Sequence, residues 1–275
     1  MSDRRSYARA KKSLGQNFLV DPNLQRKIVR ALEVEPGDEV LEIGPGQGAL
    51  TSHLVEKAGR VVAVELDDDL ASILVSRYED APSVEVVHGD VLKVPLAEHL
   101  HRPDETLVIG NIPYNITTPI IFRLLQRPRP RRIVLMIQEE VADRIVAPVG
   151  SKAYGALSVG IRSVAKVEKL FRVRRGAFRP VPGVDSAIIR ITPLVPAPLE
   201  AAEEEALRRL VRAAFQWRRK QLRKILRDHP DLDLAETRLE SAVDQAGIEI
   251  MDRPERLAPG DFMRLSSALA LTKHP

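Results

Sequence analysis

Residues 40–51 read VLEIGPGQGALT: an apolar run, then glycines at alternate positions, then the beginning of a helical pattern. Gly44, Gly46 and Gly48 permit a tight strand-to-helix turn and let the backbone approach a ligand closely. A dinucleotide-binding turn prefers G-x-G-x-x-G, with its amides aimed at a pyrophosphate. Here the spacing is G-x-G-x-G, and Glu42 precedes the loop. A carboxylate at that place repels a phosphate and suits a cationic or zwitterionic ligand.

Working outward, β-like runs (EVLEI, RVVAVEL, VEVVHG, ETLVIG, RRIVLMIQ) alternate with helical stretches (GALTSHLVEKAG, DDDLASILVSRYED, TTPIIFRLLQ, EEVADRIVA). That rhythm predicts a parallel sheet covered on both faces. Upstream, Asp21 caps a helix that starts at Pro22 and buries Leu24, Ile28, Val29 and Leu32, with Pro36-Gly37 stopping it. VAKVEKLFRV and SAIIRITPL read as two further strands able to pair antiparallel at an edge. The Pro- and Ala-rich stretch TPLVPAPLEA, residues 192–201, precedes a wholly helical pattern, which divides the chain into residues 1–195 and 196–275.

Two acids follow the glycine loop at the ends of successive strands. Glu65, about twenty positions beyond Gly44, stands where an α/β nucleotide site places an acid for two ribose hydroxyls. Asp90, after VEVVHG, can accept from an adenine amino group. A helix cap or a surface carboxylate is the plain alternative for each. The chain has neither a P-loop lysine nor an obvious phosphate clamp, so S-adenosylmethionine fits these groups best: an adenosine with free ribose hydroxyls, a sulfonium cation and an amino-acid tail.

The next strand ends in GNIPYN, residues 110–115. An exocyclic adenine amine is a weak nucleophile because its lone pair is delocalised into the ring. If the Asn111 side-chain oxygen and the Ile112 carbonyl accept its two hydrogens, the nitrogen is drawn toward tetrahedral geometry and its lone pair can face a sulfonium methyl. Pro113 stiffens that carbonyl, and Tyr114 stacks on the base. An ordinary turn is the bland alternative.

Composition narrows the classes further. The chain has 275 residues and no cysteine, which excludes disulfides, thiolate metal clusters and a cysteine nucleophile. No run of eighteen apolar residues and no signal-peptide core occurs, so a cytoplasmic protein is expected. The formal charge is only +4, but basic residues cluster at 4–12 and at 208–228, where nine Arg or Lys stand against one Asp. A solvated helix face explains either cluster alone; together they lean toward nucleic acid. On a helix from Leu207 to about Trp217, Leu207, Leu210, Val211 and Ala214 form an apolar stripe. Arg218, Arg219, Lys220, Arg223, Lys224 and Arg227 are left as candidates for phosphate contacts. Trp217 reads as a buried anchor more readily than as a stacking platform.

In order along the chain, KKSLGQNFLVDPN, VLEIGPGQGALT, VAVELD, GNIPYNITTPI, QEEVADRI, FRPVPGVDSAIIRI, FQWRRKQLRKIL and RPERL resemble the blocks of the bacterial small-subunit ribosomal RNA adenine dimethyltransferases. The resemblance runs nearly end to end. It implies an α/β fold, a Rossmann-like class I methyltransferase sheet with a small all-helical C-terminal domain. It also implies transfer of two methyl groups from S-adenosylmethionine to N6 of each of two adjacent adenines near the 3′ end of 16S rRNA. By carry-over, Gly44, Gly46, Glu65, Asp90 and Asn111 line the donor site, and Asn17 and Leu19 contact the donor; from the residues alone, Phe18 and Leu19 are packing residues. Phe178 is implied to face the target base opposite Tyr114, with plain core as the alternative. The expected partner is 16S rRNA within the 30S subunit or its precursor, met by a monomer, with no metal and no membrane. Two other readings use the same residues: an adenine-N6 methyltransferase acting on 23S rRNA or DNA, and an RNA-binding assembly or transcription factor on a methyltransferase fold.

Overall fold

The structure, a computed structural model, describes residues 10–11, 14–232 and 234–269. Most of the basic cluster at 4–12 therefore lies outside the described residues. The chain forms two compact units, Met1–Ala142 with Glu168–Pro193, and Asp143–Val167 with Leu194–Pro275.

The first unit begins with a two-residue strand, β1 (Phe18–Leu19), and helix α1 (Pro22–Leu32). The Asp21 carboxylate accepts from the Asn23 and Leu24 amides, Pro22 occupies the first turn, and Ile28, Val29 and Leu32 are buried. Thereafter strands and helices alternate: β2 (Glu39–Ile43), α2 (Thr51–Val55), β3 (Arg60–Glu65), α3 (Asp68–Arg77), β4 (Val84–His88), α4 (Leu96–His99), β5 (Leu107–Asn111), α5 (Thr117–Leu124), β6 (Arg132–Gln138) and α6 (Glu139–Val146). Helix α2 is shorter than the stretch GALTSHLVEKAG suggests, because Gly46 and Gly48 hold left-handed backbone just before it.

After α7 (Ala156–Arg162) come β7 (Ala165–Val173), the two-residue β8 (Phe178–Arg179) and β9 (Ser186–Pro193). The seven-stranded sheet has the order β4-β3-β2-β5-β6-β9-β7. Neighbouring strands are parallel from β4 through β6, and β9 runs antiparallel to β6. Val61, Val62, Ala63 and Val64 of β3 are each at most 2% exposed, as expected of a strand covered on both faces. β2 lies between β3 and β5, so the chain's direction across the sheet reverses there, and such a switch point leaves a crevice at the strands' carboxyl ends.

The second unit is mainly helical: α7, α8 (Ala201–Gln216), α9 (Leu222–Asp228), α10 (Glu236–Ala246) and α11 (Pro259–Ala268). The stripe Leu207, Leu210, Val211 and Ala214 is buried together with Ile225, Leu226, Leu239, Phe262 and Leu265. Trp217 ends α8 and is partly buried, its ring centroid 5.0 Å from that of His229.

A division at 195/196 groups Asp143–Val167 with the sheet, whereas in the structure this segment packs with the helices. The reason is local: Ala147, Tyr154 and Val159 join the helical core, and the Tyr154 hydroxyl donates to the Leu257 carbonyl at 2.8 Å. Among the described residues no helix is long and apolar enough to cross a membrane.

Candidate active site

The carboxyl ends of β2, β3, β4 and β5 open into one cleft of about 1090 Å³, its open mouth included. Gly44, Gly46, Glu65, Asp90, Asn111, Pro113 and Tyr114 line it, joined by Asn17 and Leu19 from the chain's N-terminal strap. Gly44, Gly46 and Gly48 have φ of +64°, +57° and +80°, which favours glycine at all three. At Gly48 a Cβ would also lie 2.9 Å from Arg77 Nη1.

Glu65 is the brace of this loop. Its Oε2 accepts from the Gly46 amide and its Oε1 from the Asp67 amide, each at 2.9 Å. A carboxylate has about four lone-pair sites, so each oxygen keeps capacity for one more donor. Burial pushes the Glu65 carboxyl up, while the amides of Asp67 and Gly46 pull it back. Asp90 Oδ1 accepts from the Leu92 amide at 2.9 Å. The loop that carries it is pinned by Arg123, whose guanidinium donates to the Leu92 and Val94 carbonyls at 2.9 and 2.5 Å.

Glu42 lies one residue before the loop's strand ends and is 1% exposed. It accepts from the Thr51 hydroxyl at 2.6 Å. Burial pushes its carboxyl up to about 7, against the Thr51 hydrogen bond, with the nearby Glu65 charge adding to the rise. Since the folded value lies above the ordinary 4.5, this group's contribution to stability is complete below that pH and is lost as pH rises through about 7. Glu42→Gln, which cannot ionise, should therefore gain on the wild type by about 3 kcal/mol at alkaline pH, and by little near pH 4. Chemical denaturation at both pH values checks this; a difference independent of pH would contradict it.

Asn111 ends β5, and its Nδ2 donates to the Asn17 backbone carbonyl at 3.0 Å. That bond commits the amide nitrogen and leaves Oδ1 as the acceptor end. The strand can lie close to β2 here because residue 110 is glycine: a Cβ would sit 2.8 Å from the Ile43 carbonyl oxygen. Pro113 holds extended backbone at φ −58° and ψ 137°. The Tyr114 hydroxyl shares a 2.7 Å hydrogen bond with Ser186 Oγ at the start of β9, and burial raises its pKa, keeping it a neutral phenol. The bond to Ser186 anchors the hydroxyl end of the half-buried ring.

Phe178 does not line the cleft. It is 0% exposed and packs with Leu19, Met136, Val173 and Ile188. The cause is a small ribbon: β8 pairs antiparallel with β1, placing Phe18 opposite Arg179 and Leu19 opposite Phe178. Facing a base would require that ribbon to open. Asn17 also stands differently from a simple side-chain contact, since its own Nδ2 donates to the Gly15 carbonyl at 3.0 Å and its carbonyl serves Asn111.

The sequence reading missed the fastening of the strap. Lys11 Nζ lies 2.8, 3.0 and 2.8 Å from carboxylate oxygens of Asp67, Asp68 and Asp69, and Gln16 Nε2 donates to Asp67 at 2.8 Å. These acids are close enough together to hold a cation, and the lysine ammonium sits among them. Burial opposes the Asp67 charge, but Lys11 and Gln16 outweigh it and hold that carboxyl below its usual value. Three consecutive aspartates were visible in the sequence; their partner, 56 positions away, was not.

The six basic residues expected to meet phosphate fall into different situations. Arg218 donates to the carbonyls of Lys152 and Ser151 at 2.9 and 3.1 Å and lies 3.4 Å from Glu255, so it fastens a turn of its own unit. Lys224 and Arg227 both pair with Asp228, at 2.9 and 2.6 Å. Arg219, Lys220, Arg223, Lys224 and Arg227 are all exposed.

Residues 7–270 match the family model described as ribosomal RNA adenine dimethylase. A ribosomal RNA small subunit methyltransferase A from Geobacter metallireducens is 42% identical over 95% of this chain and 96% of its own length. The protein of the same name from Geobacillus thermodenitrificans is 42% identical over 94% and 90%. Among solved structures, a dimethyladenosine transferase from Plasmodium falciparum superimposes with a TM-score of 0.76 at 29% identity, covering 90% of this chain and 95% of that one. The 23S rRNA methyltransferase ErmE does so with a TM-score of 0.69 at 31% identity, covering 92% and 100%.

Proposed function

The chain belongs to the ribosomal RNA adenine dimethylase family and so methylates adenines of ribosomal RNA, and from that premise we propose both its donor and its target. The donor is S-adenosylmethionine, and the target is a pair of adjacent adenines near the 3′ end of 16S rRNA, presented by the 30S subunit or its precursor. The observation that carries this reading is the Asn111 carboxamide, anchored through Nδ2 by the Asn17 carbonyl in the same cleft as Glu65, Asp90 and Tyr114.

The residues present fit the donor. Glu65, braced by two backbone amides, retains acceptor capacity for two ribose hydroxyls. Asp90 Oδ2, 3.8 Å from the exposed Lys93 Nζ, can accept from an adenine amino group, and Glu65 and Asp90 set a negative field suited to a cation. When bound, the donor supplies an electrophilic methyl group on a positively charged sulfur.

The chain's own work is on the acceptor. Asn111 Oδ1 and the Ile112 carbonyl accept the two N6 hydrogens of an extruded adenine and so localise its lone pair toward the methyl. Pro113 stiffens the Ile112 peptide. The Tyr114 ring, its hydroxyl end anchored by Ser186, stacks on the base. No group need take a proton before transfer, because the nitrogen becomes acidic only once methylated. Phe178 supports the ribbon beneath the strap rather than the base itself.

RNA affinity in the helical unit is assigned to the exposed stretch Arg219, Lys220, Arg223, Lys224 and Arg227, with Arg218 holding local structure. Arg219→Ala with Lys220→Ala should lower RNA affinity and flatten the dependence of log K on log salt by about 0.7–0.9 for each phosphate that is no longer neutralised. Binding titrations at several salt concentrations measure this, and an unchanged slope would move the phosphate-binding surface elsewhere.

The likeness to ErmE keeps large-subunit rRNA as a second target to be tested. Tritiated donor offered to 30S particles lacking adenine methylation, to 23S rRNA and to duplex DNA separates the readings. Label recovered as N6-dimethyladenosine from 30S particles alone is the expected result; label in 23S rRNA would transfer the assignment to the large subunit.

A further inference from the structure

Residues 172–179, RVRRGAFR, carry four arginines and no acid and end in β8, the strand that pairs with β1 in the cleft's wall. Arg172 is committed to Glu139 and Asp185, at 3.0 and 2.5 Å. Arg174, Arg175 and Arg179 are exposed. We propose that Arg174, Arg175 and Arg179 form a clamp for the RNA phosphates that flank the extruded adenine. The inference rests on the reading of the cleft given above and extends it to a surface separate from the helical unit.

The turn is held in place, unlike a basic stretch on a solvated helix. The Ala177 amide donates to the Arg174 carbonyl at 3.0 Å, and the Ala177 carbonyl accepts from Val20 at 2.9 Å. The Arg175 amide donates to Asp185 Oδ1 at 2.8 Å. The arginines therefore stand on a braced backbone, and little ordering is needed when a ligand arrives.

Its position follows from register. Residues directly opposite in an antiparallel pair share a face of the ribbon, and Arg179 is opposite Phe18. Phe18 lines the cleft, with its ring so close to the glycine loop that a Cβ at Gly46 would meet it at 3.3 Å. Arg179 is thus on the Phe18 face of the ribbon, beside the cleft wall, its guanidinium folded onto the carbonyls of Phe178 and Gly176 at 2.7 and 3.2 Å. Arg174 and Arg175 open the turn that leads into it.

The chemistry selects a polyanion threaded past the cleft mouth. An adenine swung into the cleft brings the phosphates on either side of it to that mouth. Guanidinium forks match phosphate oxygens in pairs. On the loop just beyond, Val181 and Val184 are 52% and 48% exposed, apolar surface suited to a ribose or an unstacked neighbouring base. Asp185 and Glu139 are the acids that oppose this field, and both are engaged by Arg172.

The test measures binding without requiring methyl transfer. Arg174→Gln, Arg175→Gln and Arg179→Gln are combined, glutamine keeping a donor for the local carbonyls. Arg174→Glu with Arg175→Glu is the second variant, which leaves Arg179 in place. Each is titrated with a fluorescent RNA hairpin carrying two adjacent adenines in its loop, over a range of potassium chloride, and with the methyl donor by calorimetry. The expected result is RNA affinity lower by about 10- to 100-fold at low salt and a salt slope reduced by about two, larger losses for the glutamate pair, and donor affinity within about twofold of wild type. Unchanged RNA affinity and slope in both variants would overturn the clamp, as would an equal loss of donor affinity. Because the readout is binding, the clamp stands or falls even if labelled donor reaches no rRNA adenine, an outcome that would instead defeat the reading of the cleft.

Discussion

Asn111→Ala should cut methyl transfer by about 10²–10³-fold in a single-turnover assay while RNA affinity stays near wild type. In the proposed mechanism the carboxamide contributes at the moment the adenine nitrogen changes geometry, so its removal acts on the chemical step rather than on docking. The structure makes the substitution informative because the amide is tied at one end only: Nδ2 reaches the Asn17 carbonyl, leaving Oδ1 to accept. Asn111→Asp is the companion variant. It places a carboxylate oxygen against that carbonyl, so it should lose the anchor as well as the amide and be no more active than alanine. Tritium incorporation into 30S particles at saturating donor measures both, and near-normal turnover by either variant would remove the role given to the carboxamide.

Glu65→Gln should weaken the donor by about 10- to 100-fold, from the loss of charge-assisted hydrogen bonds worth about 1.5–3 kcal/mol. Both carboxylate oxygens already accept backbone amides, from Gly46 and Asp67. A glutamine must point its NH₂ at one of those two N–H groups, which are both donors, so the loop loses a brace as well as a ribose acceptor. The loss should fall on donor affinity and KM, and saturating donor should largely restore kcat. Calorimetric titration of the donor analogue that lacks the methyl group reads the affinity directly, and a thermal melt of the free variant separates loop loosening from global unfolding. Donor affinity equal to wild type would show that the hydroxyl acceptors lie elsewhere.

How much of this was legible in the sequence depends on distance along the chain. The glycine loop could be read because three residues must hold positive φ at one turn, and only glycine does so without strain. Glu65, Asp90 and Asn111 could be read because each stands within three residues of the end of an apolar run, and parallel strands bring their carboxyl ends together. The helical stripe from Leu207 to Ala214 was equally plain, since burial repeats with the helix period.

Other features had no local signal. β1 and β8 are two residues each, too short for any period, and their pairing joins positions about 160 apart. That ribbon is what sends Phe178 into the core instead of toward a base. The basic run at 208–228 shows charge but not its partners: Arg218 turned out to fasten Ser151 and Lys152, and Asp228 takes up Lys224 and Arg227. Tyr154 looks like any aromatic in sequence, yet it carries its segment into the helical unit.

By itself the sequence determined the alternation of strands and helices and the order of the cleft's polar groups, because backbone conformation and strand period are properties of neighbouring residues. Tertiary structure alone decided which of those groups are held and by what: the Asn17 carbonyl on Asn111, Ser186 on Tyr114, Lys11 on Asp67. Each of these pairs joins residues more than fifty positions apart, and hydrogen bonds and ion pairs of that reach depend on how the packed sheet and its connections bring distant segments within 3 Å of one another.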